Sequence, residues 1–315
     1  MWALIAFICS ARSISHWYMS SNTHHKLFAV AALLFAATAW GVIWYPLRLI
    51  EAQGLSGLWT TLVMFSAASV VVLPALWGCR RQIRRHWFQI LLIMLFSGWT
   101  NIGFILAVLD GNIVRVLLLF YLSPVWAILL ARFVLNERIG WHGLLILFIA
   151  LCGALLMLWN PEFGGIALDS KADYLAITAG IAFAANNVMV RRASMVEVRC
   201  KTSATLWGTM LLCGTWVAVV SLPGAVSLPD VSWNAYLNAA LLGCFGILFM
   251  TLTVQYGVSR LPIKHSAIIL LFEVVAGAIS AQLLTNEQVL PQEWVGGVMI
   301  ILAGYVSARR VLESK

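Results

Sequence analysis

Long uninterrupted apolar runs constrain the fold of this chain more than any other feature. About 20 helical residues cross the hydrocarbon core of a bilayer, and ten runs approach or exceed that length. They are Leu27–Leu47, Gly57–Trp77, Phe88–Leu109, Ile113–Val134, Trp141–Leu158, Tyr174–Val190, Thr202–Leu222, Ala235–Val258, Ile263–Leu284 and Trp294–Ala308. We number them spans 1 to 10. The strands of a membrane barrel would be short segments of alternating hydrophobicity, so the sequence predicts an all-α integral membrane protein.

The composition excludes a water-soluble fold. Of the 315 residues, 62% are hydrophobic and 10% are charged, whereas soluble domains are about half apolar and about a quarter charged. A soluble core of this size could not bury so much apolar surface. The net charge of +8 therefore gives no reason to expect nucleic acid as a partner, and membrane lipids are expected instead.

No motif for a metal, a cofactor or an enzymatic reaction is present in the sequence. The six cysteines, which stand singly, are Cys9, Cys79, Cys152, Cys200, Cys213 and Cys244. We interpret them as small buried apolar residues, because disulfides or zinc would need closer clustering. The chain also lacks the GxxxxGK[ST] loop of ATPases and the HExxH and GxSxG motifs of familiar membrane proteases. We therefore predict no cofactor, no metal and no enzymatic activity.

Residues 1–26 precede span 1 and are predicted to be an N-terminal extension. The apolar part, Met1–Cys9, is too short to cross a membrane, and no small-residue cleavage site clearly follows it. A second methionine, Met19, begins the segment MSSNTHHK directly before the first long apolar run. Our hypothesis is that translation starts at Met19, or that residues 1–18 are dispensable.

The Lys and Arg residues predict an orientation, because short loops rich in them stay in the cytoplasm. With both termini inside, sixteen Lys and Arg residues fall on the cytoplasmic side, and only Arg48, Arg115 and Lys171 fall outside. A missed or an extra helix would scramble this bias. The sequence therefore predicts ten spans in the cell (inner) membrane, with cytoplasmic N- and C-termini. The Arg-rich loop CRRQIRRHW is interpreted as a determinant of this topology that also suits contact with anionic lipids.

Spans 3 and 4 are repeated in spans 8 and 9. At an offset of 150 residues, Asn101–Arg138 aligns without gaps with Thr251–Gln288, and Asn136-Glu137 aligns with Asn286-Glu287. Because each half contains five spans, an odd number, the second half must enter the membrane from the opposite side. We predict two inverted five-helix repeats, residues 27–158 and 173–311. Many secondary transporters alternate access to a central site with such repeats.

The chain resembles the EamA branch of the drug/metabolite transporter superfamily over about residues 27–311. The resemblance lies in Trp40-Gly41 within AATAWGVIWYP, in LSPVWAILLARFVLNE of span 4 and in LLFEVVAGAISAQLLTNE of span 9. It implies transport of small metabolites, commonly export of amino acids or related compounds. The family often has Glu-Pro where this chain has Glu273-Val274, and here a proline stands in the first half, in Ser123-Pro124. Since proline kinks a helix, the sequence gives a reason for a bend in span 4 and none in span 9.

Glu273 is the candidate site residue with the strongest physical argument. It lies midway along span 9, in IILLFEVVAGAIS, with no basic residue nearby in the sequence. A charge buried in a membrane without a partner is costly. On a helix Glu273 shares a face with Ser266, Gly277 and Ser280, which predicts that this face points into the bundle. Two interpretations stay open here: a proton-titrating carboxylate in a central cavity, or a carboxyl held neutral or bonded between helices.

Other polar and aromatic residues of the spans are candidates for a solute pathway. Aromatic rings with a few amides suit an organic solute of modest size that forms hydrogen bonds. The same residue types also form interfacial belts and contacts between helices, which is the alternative for each of them. These candidates are Trp40, Trp44, Tyr45, Asn101, Tyr121, Ser123, Asn186, Asn187 and Gln255.

Two ionisable residues near the ends of spans complete the candidates. Arg115 starts span 4 close to Asp110. It either snorkels or pairs with that carboxylate, or it attracts the carboxylate of a substrate to the mouth of the cavity. Its repeat counterpart, His265, is either a hydrated interfacial histidine or a group that titrates near neutral pH.

These observations predict a secondary transporter that moves a small organic metabolite, amino-acid-like or drug-like, by alternating access. We expect efflux coupled to protons or to exchange. An uptake carrier of the same fold and a channel or lipid-handling membrane protein stay open as alternatives. The expected partners are the small-molecule substrate, protons and membrane lipids, and the carrier is expected to be a monomer or a homodimer.

Overall fold

The computed structural model describes residues 22–111, 113–137, 140–159, 168, 170–220, 229–285 and 290–313, which are helical with no strand in these ranges. The helices run over Asn22–Val42, Trp44–Glu51, Gly57–Val71, Leu73–Arg85, Trp87–Asp110, Ile113–Phe120, Ser123–Val134, Trp141–Leu158, Lys171–Arg192, Val198–Val220, Trp233–Leu241, the π-helical turn Leu242–Ile247, Leu248–Arg260, Ile263–Leu270, Phe272–Leu284 and Pro291–Glu313. The part of the predicted extension up to residue 21, and the repeated pair Asn286-Glu287, lie outside the described residues.

The number of spans agrees with the prediction. Nine described stretches of helix are long and apolar enough to cross a membrane. Counting the bent pair Gly57–Val71 and Leu73–Arg85, whose helices meet at 76°, as one span gives the predicted ten. The predicted fold class is confirmed, and the protein is a multi-pass integral membrane protein.

Span 2 departs from its predicted bounds, because its first helix ends at Val71 and not at Trp77. Pro74 stands at the start of the next helix, where it has no N–H to donate and its ring crowds the carbonyl four residues back. The chain therefore bends, and the Arg-rich segment is a helix rather than a loop. Trp77 is 77% exposed and Arg80 lies 5.5 Å from the centre of its ring. An exposed Trp beside several Arg residues is typical of a helix at a membrane surface.

The bend also brings together two cysteines that are far apart in the sequence. Cys79 and Cys200 form a disulfide, with their Cα atoms 5.6 Å apart and 121 residues between them along the chain. The interpretation of all six cysteines as unpaired apolar residues was therefore wrong for this pair. The spacing of the cysteines along the chain gave no sign of this contact. The contact depends on the helix 73–85 folding back onto the start of span 7. Cys152, Cys213 and Cys244 are free.

The two halves of the chain interlock. Span 6 packs against spans 3 and 4 of the first half, and span 1 packs against spans 8 and 9 of the second half. Span 2 contacts span 7, and span 5 contacts span 10. Each of these contacts has a counterpart in which the halves are exchanged. Two inverted repeats related by a pseudo-two-fold axis have this pattern.

Span 4 is interrupted at its midpoint, between Ile113–Phe120 and Ser123–Val134. Pro124 lies in the first turn of the second helix. Because proline has no N–H, it cannot donate the hydrogen bond that would continue the first helix. The helix is thus broken at the position where the sequence has its proline.

Span 9 is interrupted at the matching position of the repeat, between Ile263–Leu270 and Phe272–Leu284. No proline stands at this break. The N–H of Leu271 instead bonds to the carbonyl of Ile268, three residues back, at 3.2 Å, which is the hydrogen bond of a 3-10 turn. Span 9 is thus interrupted by a turn that needs no proline, and the break was not expected from the sequence because only a proline was considered as its cause.

Many of the Lys and Arg residues gather at one end of the bundle, which we call the basic end and define by Arg191, Lys201 and Arg260. At this end the bundle is tightly closed. All residues in 184–190 of span 6 and in 200–206 of span 7 are buried. A helix that is buried on every side is surrounded by other helices, so no open path reaches the centre along these two segments.

Candidate functional site

The midpoints of spans 4 and 9 meet at Glu273. Tyr121, at the break of span 4, donates a hydrogen bond of 3.1 Å from its hydroxyl to Oε1 of Glu273. Glu273 lies in the first turn of the helix Phe272–Leu284, directly after the break in span 9. Because the two side chains come from opposite halves, this bond joins the inverted repeats at their centre.

A small cavity adjoins this pair between spans 4, 6 and 9. Its lining contains the predicted candidates Tyr121, Ser123, Asn187 and Glu273, together with the rings of Phe120 and Phe183. The volume of the cavity is about 20 Å³, which is room for about one water molecule. Sites that hold organic ligands are usually at least about 300 Å³. In this conformation the cavity is therefore too small for an organic solute, and a solute would need the bundle to open.

Span 1 forms a wall of the site beside Glu273. A Cβ added at Gly41 would lie 2.5 Å from the Glu273 carbonyl oxygen and 2.7 Å from the Cβ of Ala276, so only glycine allows this approach. Nε1 of Trp44 donates to Oγ of Ser280 at 2.9 Å, and that hydroxyl lies 3.2 Å from the Gly41 carbonyl. The predicted small-residue face of span 9 thus points into the bundle, as expected.

A polar network closes the basic end below the cavity. Oε2 of Glu137, at the end of span 4, accepts the N–H of Ile263 at the start of span 9, at 3.0 Å. Its other oxygen lies 3.6 Å from Nε of Arg191, and Arg191 donates to the carbonyl of Ser259 at 2.7 Å. Sequence analysis found Glu137 in the repeated Asn-Glu pair but did not include it among the site residues. The repetition of the Asn-Glu pair in the second half was the signal in the sequence that could have identified Glu137.

Lys201 is part of the same network and is fully buried. Its Nζ donates to Oγ of Ser259 at 2.5 Å and to the carbonyls of Ala193 and Val190 at 3.2 and 3.3 Å. Three oxygen acceptors satisfy the three N–H groups of an ammonium. The sequence treated this lysine as a cytoplasmic loop charge, whereas the structure makes it a link between spans 6, 7 and 8.

Arg115 lies at the opposite end of the bundle, in an ion pair with span 6. Its Nε and a terminal nitrogen bond to the two carboxylate oxygens of Asp173 at 2.7 and 2.9 Å. The expected partner Asp110 lies instead 3.5 Å from Nζ of Lys171. The sequence correctly suggested a salt bridge but identified the wrong carboxylate, because Asp173 comes close only when span 6 packs against span 4.

The remaining candidates lie outside the cavity lining that the structure describes. Nδ2 of Asn101 donates to the Ser97 carbonyl at 2.8 Å, and Nε2 of Gln255 donates to Oγ1 of Thr205 at 2.8 Å. Nδ1 of His265 lies 2.7 Å from Oγ of Ser307, at the basic end. Nδ2 of Asn101 also lies 3.4 Å from Oγ1 of Thr209 in span 7, so all three side chains connect neighbouring helices. This was the alternative considered for Asn101 and Gln255, whereas the alternative for His265 was a hydrated interfacial histidine.

Three further candidates also pack against neighbouring residues. Trp40 packs against a buried apolar cluster of spans 1, 2, 7 and 8. The ring of Tyr45 meets that of Trp44 edge-on, with 5.7 Å between the ring centres. Asn186 is buried beside Asn187 but does not line the cavity. Phe120 and Phe183, by contrast, do line it and were not predicted, because apolar residues on apolar spans carry no distinguishing signal.

Comparison with known families now identifies the protein. A profile of the EamA-like transporter family matches the chain twice, over residues 27–159 and 170–309. The chain belongs to the EamA-like transporter family. Members of this family are membrane transporters of the drug/metabolite type and not enzymes. The two matches support the organisation of this EamA protein as two repeats.

The fold is also found among solved structures. One structure described only as "Crystal structure of protein" is similar to this EamA protein with a TM-score of 0.64 and 20% sequence identity. The similarity covers 94% of this chain and 99% of the other, and at this identity it shows a shared fold alone. A comparison with curated proteins finds no match.

Proposed function

We propose that this EamA protein is a secondary carrier that exports a small organic solute in exchange for protons bound at Glu273. The observation that carries the proposal is the Tyr121–Glu273 hydrogen bond. The two side chains of this bond line the small cavity and lie at the matching breaks of spans 4 and 9. Intramembrane carboxylates at such positions are characteristic of proton relays in transporters.

The proposed cycle depends on what occupies the carboxyl group. A carboxylate that bears neither a proton nor a ligand is costly to enclose in an apolar bundle. Closure around Glu273 is therefore favourable only after it has bound a proton or a polar group of the solute. Because the same group serves both, the inward movement of a proton is linked to the outward movement of a solute.

The alternation itself would come from the inverted repeats. Two similar packings, related by exchange of the halves, can open the central cavity first to one end and then to the other. The polar network at the basic end is the contact that must break for opening at that end. We propose that the basic end is cytoplasmic, in the cell (inner) membrane, because Lys and Arg accumulate there.

The experiment begins by comparing metabolites in cells that lack and cells that overexpress the protein. The solute that changes most is then studied in proteoliposomes, with and without a pH gradient. We expect the gradient to accelerate its movement, and Glu273→Gln to abolish the acceleration because Gln carries no titratable proton. Glu293→Gln is the matched control, since Glu293 lies at the start of span 10 and bonds to the Leu290 N–H.

Equal acceleration by the pH gradient in wild type and in Glu273→Gln would contradict proton coupling at this residue. The direction of flux in oriented vesicles distinguishes export from uptake. Counterflow, in which solute trapped inside drives uptake of labelled solute, is expected of a carrier. Its absence would favour the channel or lipid-handling alternative.

A further inference from the structure

Asn187 faces the cavity with an unused hydrogen-bond acceptor. Its side chain is only 5% exposed, and it lines the cavity from span 6. Among the residues that the structure describes, none donates to its Oδ1. Leaving a buried acceptor without a partner is costly, and buried polar groups are rarely left in this state. A hydrogen-bond donor on a bound solute would satisfy it.

The charge of the cavity limits what that donor can be. Glu273 brings a carboxylate to the lining, and the described lining contains no Lys, Arg or His side chain. Arg115, the predicted attractant for a substrate carboxylate, already binds both oxygens of Asp173, which is 2% exposed. An anionic group would therefore meet a carboxylate and an amide acceptor, with no cation to compensate. A cationic group would find both acceptors available.

The aromatic side chains of the lining favour the same class of ligand. The ring centres of Phe120 and Phe183 are 5.6 Å apart, and those of Phe120 and Tyr121 are 5.8 Å apart. Aromatic faces attract ammonium groups through their quadrupoles. The cavity of about 20 Å³ has the size of an ammonium head in the present conformation, and the body of a solute would need the bundle to open.

We propose that the substrate of this carrier is a small primary or secondary amine with an apolar body. Its ammonium N–H groups donate to the Glu273 carboxylate and to Oδ1 of Asn187, and its body lies against the aromatic rings. The inference rests on the proposed function, in which this cavity is the substrate site. It goes further in requiring N–H donors, which excludes quaternary ammonium compounds and carboxylates without an amine.

The test measures binding of three probes of the same shape to the purified full-length protein. The probes are phenethylamine, hydrocinnamate and phenethyltrimethylammonium, which differ only in the group at the end of the chain. Titration by tryptophan fluorescence should give clearly tighter binding for phenethylamine than for the other two. Glu273→Gln should weaken the binding of phenethylamine about tenfold or more, because a hydrogen bond to a charged acceptor is lost.

Asn187→Leu isolates the proposed hydrogen bond. It should weaken phenethylamine binding about tenfold and leave phenethyltrimethylammonium unchanged, because only the former has N–H groups. The matched control is Asn186→Leu, since Asn186 is equally buried with an unpartnered Oδ1 among the described residues but does not line the cavity. Asn187→Asp, which keeps an acceptor, should retain binding if Asn187→Leu impairs folding.

Three results would overturn the inference and leave the proposed carrier function intact. The first is binding of hydrocinnamate as tight as that of phenethylamine. The second is equal phenethylamine binding by wild type and Asn187→Leu. The third is absence of binding by all three probes. The proton-exchange proposal is tested separately, with the solute found by metabolite comparison, so the two proposals can fail independently.

Discussion

At the scale of single residues, close helix contacts around the site depend on glycine. Gly41 lets span 1 reach the backbone of span 9 beside Glu273, and Gly153 and Gly296 do the same between spans 5 and 10. In a lipid environment, helices associate through such close contacts and through interhelical hydrogen bonds. Small residues at these positions therefore set the distance between spans 1 and 9 and between spans 5 and 10.

Gly41→Ala should destabilise the protein and disturb the site. The added Cβ would lie 2.5 Å from the Glu273 carbonyl oxygen, so span 1 must move away from span 9. We expect a loss of about 1–3 kcal/mol in the free energy of unfolding, seen as a lower melting temperature in detergent. Gly304→Ala is the control, because nothing lies within 4 Å of a Cβ there. A melting temperature of Gly41→Ala equal to that of the control would contradict this contact.

Lys201→Met should also lower stability. The change removes the donor to the Ser259 hydroxyl and to two helix-end carbonyls, and each buried acceptor left without a partner costs about 1–3 kcal/mol. Lys171→Met removes the same charge from a side chain that is 76% exposed, where the expected effect is within about 0.5 kcal/mol. Chemical denaturation of both variants, compared with wild type, measures the difference. Similar losses in both would indicate that Lys201 is not buried in this network.

At the scale of elements, the helix Leu73–Arg85 shows how one residue redirects a segment. Pro74 turns the chain at the end of span 2, and the helix that follows carries Cys79 to the start of span 7. Gln82 reinforces this contact: its amide donates to Oε1 of Glu197 at 2.6 Å and accepts the Glu197 N–H at 2.9 Å. The Arg-rich segment is thus attached to the bundle at a defined place.

The contact between Cys79 and Cys200 predicts a specific crosslink. After mild oxidation, denaturation without reductant should leave four titratable thiols of the six in the sequence, since one disulfide links two of them. Cys79→Ser and Cys200→Ser should each leave five free thiols, and the double variant should leave four. Cys213→Ser should leave three, because it removes a free thiol. Peptide mapping that pairs Cys79 with a different cysteine would show that the helix lies elsewhere.

At the scale of the whole molecule, the structure is closed at the basic end. Glu137 connects the first half to the second through the Ile263 N–H and Arg191. The segments 184–190 of span 6 and 200–206 of span 7, at the same end of the bundle, are buried. A carrier that alternates between two packings needs contacts of this kind, which hold one state and can be broken for the other. Weakening them should therefore shift the population towards opening at the basic end.

Glu137→Ala should make the centre accessible from the basic end. A single cysteine at Ala127, which lines the cavity and is buried, serves as the reporter in a background without native cysteines. We expect Glu137→Ala to increase its labelling by a membrane-impermeant thiol reagent applied at the basic end by about tenfold, the effect of about 1.4 kcal/mol on the equilibrium. Glu313→Ala, which removes an exposed pair with Arg309, should leave the labelling rate unchanged. Equal rates for both variants would show that Glu137 does not hold this end closed.

The sequence alone determined the class of fold, and it made Glu273 the strongest candidate for the site. Crossing a membrane is a local property of about 20 consecutive residues, and a carboxylate within such a run is conspicuous wherever it packs. Even the end of span 2 was readable locally, since Pro74 was present and its effect was overlooked.

Only the tertiary structure decided which side chains meet. Tyr121 bonds to Glu273 across 152 residues of sequence, and Arg115 binds Asp173 across 58. Such partners depend on the relative placement of helices, which hydropathy does not describe, because every span is apolar and many different packings would satisfy the membrane equally well. The break in span 9, which has no proline, and the unpartnered acceptor of Asn187 at the cavity also depend on the placement of the helices. They arise from how two interlocked halves fit together and not from any one stretch of chain.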